Sequence, residues 1–414
     1  MRARRVAWFV IGRAALWRGV ACIAREPGAS EILGVASNAP QCAALPTYDL
    51  RRLLDLAIPQ SRATTETVSR MRQLKFLVSP IIAIVITCST ASAIDGMALE
   101  NAKKYSSSHH GFSLLVIQNN RTILEHYPGG HAANEITSIY SGTKGFWCVA
   151  AAAAAQDGIL DLDEHVQDTI SEWRSDPRKE GIRIRDLLHF TAGIEPVFSL
   201  HGKSISDRNG YSVKLAPARR PGDAFMYGPS QLQIFSEVLR RKLASRHLTP
   251  EQYLERRILH PLGIAGVDFR EDKKGNPLLA SGFKLTARQW VQLGKLILND
   301  GKIGRRQIVR ADLLKECFRG TRANPMFGMG FWLNREAPDG REVDVERMLD
   351  VPWERQGWRD GCLSNAAPPD TIAAIGSGFQ RMYIVPSQNL IIVRQARNDP
   401  AFSDARFLEL VFRK

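Results

Sequence analysis

The chain has few cysteines for its length and lacks an apolar run long enough to cross a membrane. Six of its 414 residues are cysteine, and only Cys148, Cys317 and Cys362 follow residue 93. Three thiols cannot form a disulfide framework, and Cys317–Cys362 is the one pairing that export would lead us to consider. The apolar run at 76–88 is far shorter than the about 20 residues of a transmembrane helix.

Acidic residues are also scarce, with 42 Asp and Glu against 56 Lys and Arg. Part of the imbalance lies in residues 1–70, which contain 10 arginines and 5 acidic residues. The remaining basic residues are scattered, whereas a nucleic-acid interface needs a clustered stripe on a recognisable module. Residues 94–414 contain no internal repeat or low-complexity stretch and are enough for one large core. The composition therefore favours a globular enzyme without a nucleic-acid partner.

Residues 71–93 contain the three parts of a secretory signal peptide. A short basic head at 71–75 precedes the apolar run, and the small residues Ala91, Ser92 and Ala93 form a cleavage site. This pattern predicts a periplasmic or secreted bacterial protein with no stable membrane anchor after cleavage. Residues 1–70 would then be a leader. We favour a misassigned start at Met1, with Met71 as the true start, over a disordered or transit-like segment. The export machinery reads a signal peptide at the N-terminus, and a leader upstream would place the signal inside the chain.

The most informative local pattern joins Ser141 to Lys144. An extended stretch at 136–140 precedes the pair, and the Ala-rich run at 146–155 predicts a buried helix. Positions i and i+3 share one helix face, so the Lys144 amine would lie against the Ser141 hydroxyl. Burial lowers the pKa of a lysine, and a neutral amine can activate a serine as a nucleophile. The helix N-terminus would favour the developing negative charge.

The same spacing at Ser281 and Lys284 does not predict a site. A capping box from Thr286 to Gln289 places the start of the next helix after Lys284. Lys284 would therefore have no fixed position relative to Ser281.

An ordered series of segments follows Ser141 and Lys144 along the chain. It consists of DGILDLD (157–163), IRIRDLLHFTAGI (182–194), PGDAFMY (221–227), PLGI (261–264) and FGMGFW (327–332). Together with 141–144, this series resembles the serine β-lactamase and penicillin-binding-protein superfamily, and within it the class C β-lactamase and esterase branch. The segment 141–144 is similar to the first motif of that superfamily, whose serine is the nucleophile. The resemblance spans about residues 112–395. It implies an α/β (α+β) fold in which helices flank an antiparallel sheet and an all-helical subdomain is inserted.

The coarse pattern of the chain agrees with this layout. Hairpin signals occur at 112–127 and at 381–395, so both ends of the hydrolase domain at 94–414 should supply sheet. We expect sheet at about 94–138 and 330–414. A helical region should lie between them, at about 141–330, with helices at 230–244 and 249–259 among others.

The resemblance assigns the tyrosine of the second motif to Tyr227. We expect cationic Lys144 to lower the pKa of this phenol, which could then pass a proton between nucleophile and leaving group. The alternative is a core tyrosine with a hydrogen-bonded hydroxyl. Pro229 stands where the family has Asn or Ser, so its substrate-orienting group is missing. Ser230 could replace it, or it could cap the next helix in a capping box with Gln233.

The third motif is matched best by Gly376, Ser377 and Gly378. The family has Lys or His at the first place, and its loss argues against efficient β-lactam turnover and for an ester or amide substrate. Arg381 could restore the positive charge. The resemblance implies that the N–H groups of Ser141 and Phe379 form the oxyanion hole, with Ser377 and Gly378 beside the substrate. The alternative is a glycine-rich strand entry that binds no ligand.

These patterns predict an exported serine hydrolase that cleaves a small-molecule ester, amide or peptide through an acyl-enzyme on Ser141. Lys144 and Tyr227 would be the other catalytic residues, and no metal or cofactor is expected. One alternative is a penicillin-interacting D,D-peptidase, D-aminopeptidase or β-lactamase. The other is a homologue that binds ligands without catalysis.

Overall fold

Apolar strands from both ends of the described chain build one antiparallel sheet. The computed structural model describes residues 93–413, so the leader and the signal peptide up to residue 92 lie outside the described residues. The strands of this sheet are β1 (Gly111–Gln118), β2 (Arg121–His126), β7 (Trp332–Leu333), β10 (Ile372–Gly376), β11 (Gln380–Val385) and β12 (Leu390–Ala396). Their order across the sheet is β2-β1-β12-β11-β10-β7. Shorter pairs join β3 (Thr137–Ser138) to β4 (Lys284–Leu285), β5 (Lys302–Ile303) to β6 (Arg306–Gln307) and β8 (Arg341–Glu342) to β9 (Gly361–Cys362).

The central strands are buried on both faces. Every residue of β1, β10, β11 and β12 is buried, whereas the edge strand β2 is largely exposed. Both predicted hairpins are confirmed: Leu115 pairs with Glu125 between β1 and β2, and Ile384 pairs with Ile391 between β11 and β12. Since a strand is buried on both faces only when layers cover both, helices must pack on each side of this sheet.

Helices cover the sheet and fill the region between β3 and β7. In residues 93–413 the α-helices are α1 (Gly96–Ser108), α2 (Thr143–Gln156), α3 (Ile184–Leu188), α4 (Arg208–Val213), α5 (Pro229–Leu243), α6 (Pro250–Leu254), α7 (Ala287–Leu298), α8 (Ala311–Glu316), α9 (Val345–Asp350) and α10 (Asp404–Phe412). Helix α7 packs on β11 and β12, while α1 packs on β1 and α10. None of these helices has both the length and the apolar character needed to span a bilayer. The predicted fold class is confirmed.

Helix α2 is buried within the described part of the chain, as its composition predicts. Residues 143–154 are all buried, and the alanines at 150–154 are completely so. A helix that is apolar all round is stable only when it is surrounded by protein. The small alanine side chains allow neighbouring elements to approach this helix closely.

The helix boundaries confirm one predicted cap and correct another. Thr286 caps α7 with the predicted capping box, and Thr249 caps α6 with a further one. The predicted box at Ser230 is wrong, because α5 begins one residue earlier, with Gly228 as its N-cap and Pro229 at its first position. Proline is favoured there because its missing N–H would have no partner within the helix.

The three cysteines of the described chain are buried free thiols. Burial, followed by a hydrogen bond with Cys317, holds the pKa of the Cys148 thiol well above its ordinary value. The disulfide considered between Cys317 and Cys362 is therefore not formed.

The start of α2 is packed so tightly that position 142 has no room for a side chain. A Cβ on Gly142 would lie 2.5 Å from the Cζ2 atom of Trp290. The Trp290 ring is fully buried within α7 and cannot swing into solvent. This contact fixes the turn that carries Ser141 against α7.

We predict that Gly142→Ala lowers the free energy of unfolding by about 1–3 kcal/mol, because the added methyl group overpacks the Trp290 contact. Urea denaturation would measure the change. Gly96→Ala is the matched control, since no heavy atom lies within 4 Å of its added Cβ at the exposed start of α1. It should stay within about 0.5 kcal/mol of the parent protein. Equal stability of the two variants would contradict the prediction.

Candidate active site

Ser141 lies on a tight turn that runs directly into α2. The 3-10 helix Tyr140–Gly142 immediately precedes Thr143, so Ser141 is held at the amino end of the long buried helix. Tyr140 adopts the left-handed region, with φ of 44°, and its side chain is exposed. A bulky residue there costs on the order of 1–3 kcal/mol, a strain that is common beside active sites. The prediction that Ser141 lies at a helix N-terminus is confirmed.

The amine of Lys144 contacts the Ser141 hydroxyl. Lys144 Nζ lies 2.8 Å from Ser141 Oγ and donates a second hydrogen bond of 2.7 Å to the carbonyl oxygen of Ala280. The lysine side chain is 2 % exposed, and burial lowers its pKa to about 7. Neither partner carries a formal charge that would hold the proton on the amine. A large fraction of Lys144 is therefore neutral near pH 7, as a base acting on Ser141 requires.

The segment that supplies the Ala280 carbonyl is hydrogen-bonded on both sides of Ser141. The Ile139 N–H donates to the Phe283 carbonyl at 3.0 Å, and the Phe283 N–H donates to Thr143 Oγ1 at 3.2 Å. Strand β4 also pairs with β3. These bonds place the backbone of residue 280 where it can orient Lys144. A backbone carbonyl has no sequence signature, so the sequence analysis missed this partner.

Lys284, the lysine of the second Ser-x-x-Lys pattern, does not contact this cluster. Its side chain is exposed on β4, whereas Ser281 is buried and lies 3.0 Å from His201 Nδ1. Burial, followed by the charges of Lys144 and then Arg270, lowers the pKa of His201 to about 3. His201 is thus a neutral imidazole within electrostatic reach of Lys144. The sequence analysis did not identify His201, because the contact joins positions 80 residues apart.

Tyr227 lies over the amine of Lys144. Lys144 Nζ is 4.7 Å from the centroid of the Tyr227 ring, and the phenol is hydrogen-bonded with Ser141. Aromatic rings surround the tyrosine, with centroids 5.0 Å away for Phe190, 5.7 Å for Trp332 and 5.8 Å for Phe327. The structure thus brings together Ser141, Lys144 and Tyr227.

The expected direction of the Tyr227 pKa shift is wrong. Burial raises the pKa of this phenol well above its ordinary value, the hydrogen bond with Ser141 opposes the rise, and the negative charge of Glu346 adds to it. Lys144 is itself neutralised by burial, so it provides little positive charge to stabilise a phenolate. Tyr227 is therefore a protonated hydroxyl that can donate a proton.

Ser230 is buried at the start of α5, beside Pro229. Its side chain is 1 % exposed, and its hydroxyl accepts a 2.8 Å hydrogen bond from the Val197 N–H. This contact ties the start of α5 to a neighbouring loop. The substrate-binding role considered for Ser230 stays a prediction.

The third motif forms the turn between β10 and β11. Gly378 and Phe379 both have positive φ, at 71° and 62°, and Ser377 is exposed at the turn. A Cβ on Gly376 would collide with the carbonyl oxygen of Ile139, which lies two residues before Ser141. The missing side chain at position 376 is what allows the end of β10 to lie against the segment that carries Ser141.

A carboxylate that the sequence analysis did not anticipate occupies this turn. Glu346 Oε1 accepts a 3.0 Å hydrogen bond from the Phe379 N–H, and Oε2 accepts a 3.4 Å bond from the Gly378 N–H. Arg381 Nη1 also donates to Oε1, at 2.9 Å. The N–H of Phe379 that the resemblance assigns to the oxyanion hole is thus engaged, and its role there stays a prediction. Arg381 is present but already paired.

The side chains gathered here can support nucleophilic attack coupled to proton transfer. They provide a hydroxyl, an amine with a pKa near neutrality and a protonated phenol, all in contact. Among residues 93–413, no group of three or more His, Cys, Asp and Glu side chains is arranged to hold a metal ion.

Solved structures share the fold of this chain at low sequence identity. A class C β-lactamase from Rhodobacter sphaeroides is 18% identical, with a TM-score of 0.55 over 76% of this chain and 97% of that chain. A family VIII carboxylesterase is 16% identical, with a TM-score of 0.56 over 78% of this chain and 99% of that chain. The octameric penicillin-binding protein homologue from Pyrococcus abyssi is 14% identical, with a TM-score of 0.56 over 76% of each chain.

Such identities show a shared fold and do not transfer an activity. A search of curated protein sequences gives no match. The family model described as Beta-lactamase matches residues 95–409, which include the nucleophile turn, the second motif and the β10–β11 turn. By this match over most of its length, the chain belongs to the β-lactamase family of hydrolases, as its motifs predict.

Proposed function

We propose that this protein is an exported serine hydrolase that cleaves an ester or amide bond through an acyl-enzyme on Ser141. The observation that carries the proposal is the 2.8 Å contact between Ser141 Oγ and an amine whose pKa burial lowers to about 7. A serine beside a largely neutral buried amine is an activated nucleophile. Export rests on the signal-peptide pattern at 71–93, and N-terminal sequencing of the native protein tests it.

Acylation begins when neutral Lys144 accepts the proton of Ser141 as Oγ bonds to the substrate carbonyl carbon. The carbonyl oxygen gains the negative charge, which the N–H groups at the amino end of α2 stabilise. The bond to the leaving group then breaks. Tyr227 donates its proton to that group and recovers one from the Lys144 ammonium, so the pair returns to its starting protonation state.

Deacylation repeats these transfers with water as the nucleophile. Lys144, through Tyr227, accepts one proton from the water as its oxygen bonds to the acyl carbon. The bond from the acyl carbon to Ser141 Oγ breaks, and the serine oxygen takes that proton back. The acid product leaves, and the site is unchanged.

The charges near the site support a substrate without a carboxylate beside the scissile bond. Position 376 carries no cation, and the guanidinium of Arg381 is paired with both Asp404 and Glu346. A carboxylate on the substrate would have no free positive charge there. We therefore propose neutral esters or amides as substrates, rather than β-lactams.

We predict that a fluorophosphonate probe adds to Ser141 and that Ser141→Ala abolishes both labelling and hydrolysis of p-nitrophenyl esters. Intact-protein mass spectrometry followed by peptide mapping would locate the adduct. Fluorescent penicillin, tested in parallel, would label a penicillin-interacting enzyme and should leave this protein unlabelled. A folded wild-type protein without an adduct on Ser141 would contradict the proposed function.

We predict that kcat/KM loses about tenfold for each pH unit below pH 7, because protonated Lys144 cannot accept the Ser141 proton. The sign follows from the amine, which is active above its pKa and inactive below it. A pH-rate profile would report this limb, and Lys144→Met should lower kcat/KM by about 10²- to 10⁴-fold. Lys284→Met, at the exposed lysine of the second pattern, should leave both rate and profile unchanged.

Tyr227→Phe should lower kcat by about 10²- to 10⁴-fold because the proton donor is lost. The phenylalanine ring keeps the contacts with the surrounding aromatic rings, so thermal unfolding should change little. Tyr211→Phe is the matched control, since Tyr211 is exposed. Full activity of Tyr227→Phe would remove Tyr227 from the mechanism and leave proton transfer to Lys144 alone.

A further inference from the structure

We infer that Glu346 determines substrate specificity by filling a carboxylate-binding pocket beside the catalytic serine. Its own carboxylate takes the place that a substrate carboxylate would otherwise occupy. The inference rests on the proposed function and names the substrate class that the site excludes.

The pocket consists of three hydrogen-bond donors around one anion. Successive backbone N–H groups in a turn with positive φ form a concave site that suits an anion, and Gly378 and Phe379 provide such a pair. The guanidinium of Arg381 adds a charged donor. Both oxygens of Glu346 are bound, one to Phe379 and Arg381 and the other to Gly378. This donor set matches what a carboxylate requires and is here satisfied from within the chain.

The pocket lies next to the catalytic groups. It belongs to the turn that follows β10, and the end of β10 touches the segment just before Ser141 at Ile139. The negative charge of Glu346 also contributes to the raised pKa of Tyr227. A substrate whose carbonyl is at Ser141 could therefore reach the pocket with a neighbouring carboxylate, if Glu346 were absent.

The structure around Arg381 would tolerate the loss of Glu346. Arg381 is fully buried and keeps two hydrogen bonds, of 2.6 and 3.0 Å, to the carboxylate of Asp404. Its charge would thus remain paired, and Nη1 would keep its hydrogen bonds to the carbonyl oxygens of Gly376 and Gln380. The N–H of Nη1 that now bonds Glu346 and the two backbone N–H groups would be available to an external anion. Glu346 lies on the short helix α9 with its side chain 23% exposed, so the pocket has access to solvent.

A tethered carboxylate competes strongly with a free one. Glu346 is covalently part of the chain, so its effective concentration at the pocket exceeds that of a dissolved substrate. Its negative charge also repels a second carboxylate, and such repulsion is an effective way to reject a competing ligand. The wild-type enzyme should therefore prefer acyl groups that are neutral near the scissile bond.

The test compares two esters that differ only at the far end of the acyl chain. p-Nitrophenyl pentanoate ends in a methyl group, and p-nitrophenyl hydrogen glutarate ends in a carboxylate. Glu346→Ala empties the pocket, and Glu346→Gln removes the charge but keeps the shape. Glu336→Gln, which neutralises an exposed acid outside the pocket, is the matched control.

We expect the ratio of kcat/KM for the glutarate ester to that for the pentanoate ester to rise by about tenfold or more in Glu346→Ala. This corresponds to one recovered hydrogen-bonded charge pair. Glu346→Gln should give a smaller rise, and Glu336→Gln none. An unchanged ratio in both Glu346 variants would overturn the inference. An equal gain for both esters would also overturn it, since Glu346 would then simply block the Phe379 N–H that the family resemblance assigns to the oxyanion hole.

A binding measurement keeps this test separate from the proposed function. In a Ser141→Ala background, isothermal titration with monomethyl glutarate should give a dissociation constant about tenfold or more lower when Glu346 is alanine. Equal affinities with and without Glu346 would refute the pocket, whatever the catalytic result. Absence of hydrolysis and of a Ser141 adduct in the wild-type protein would instead refute the proposed function.

Discussion

The buried amine of Lys144 is the constraint on which the rest of the site depends. An isolated charge is costly in a protein interior, so burial favours the neutral amine, which is the form that can accept the Ser141 proton. The two close partners of Lys144, a serine hydroxyl and a backbone carbonyl, carry no formal charge to reverse this preference. The buried helix α2 thus both positions the lysine and lowers its pKa.

That arrangement requires three segments to pack closely against the turn that carries Ser141. Trp290 lies against Gly142, and the end of β10, at Gly376, lies against Ile139. The segment from Ala280 to Phe283 is hydrogen-bonded to Lys144 and to Ile139. Tyr140 holds a left-handed conformation within this surrounding packing. The strain of that residue is sustained because its neighbours leave the turn no relaxed alternative.

Charge is distributed unevenly around the site. Ser141, Lys144 and Tyr227 carry little charge near neutral pH. Beside them, a chain of ion pairs runs from the partly exposed Glu346 through the buried Arg381 to the buried Asp404. By the family resemblance, the third motif would present a cation to the substrate. Here Gly376 stands at that place, and the guanidinium of Arg381 is buried and paired with the carboxylates of Asp404 and Glu346. A shared fold with the class C β-lactamase and the family VIII carboxylesterase is therefore compatible with a different choice of substrate.

The sequence by itself determined the hairpins, the buried helix α2 and the pairing of Ser141 with Lys144, because each depends on local periodicity or on one helical turn. It also identified Tyr227, through an ordered motif. It could not predict the contacts of the Ala280 carbonyl, of His201 or of the Glu346 carboxylate. These groups are distant from Ser141 in the sequence, and only the tertiary fold brings them to the site. The Tyr227 pKa shift went against expectation for the same reason. Burial, which only the tertiary structure decides, outweighs the neighbour that the sequence suggested.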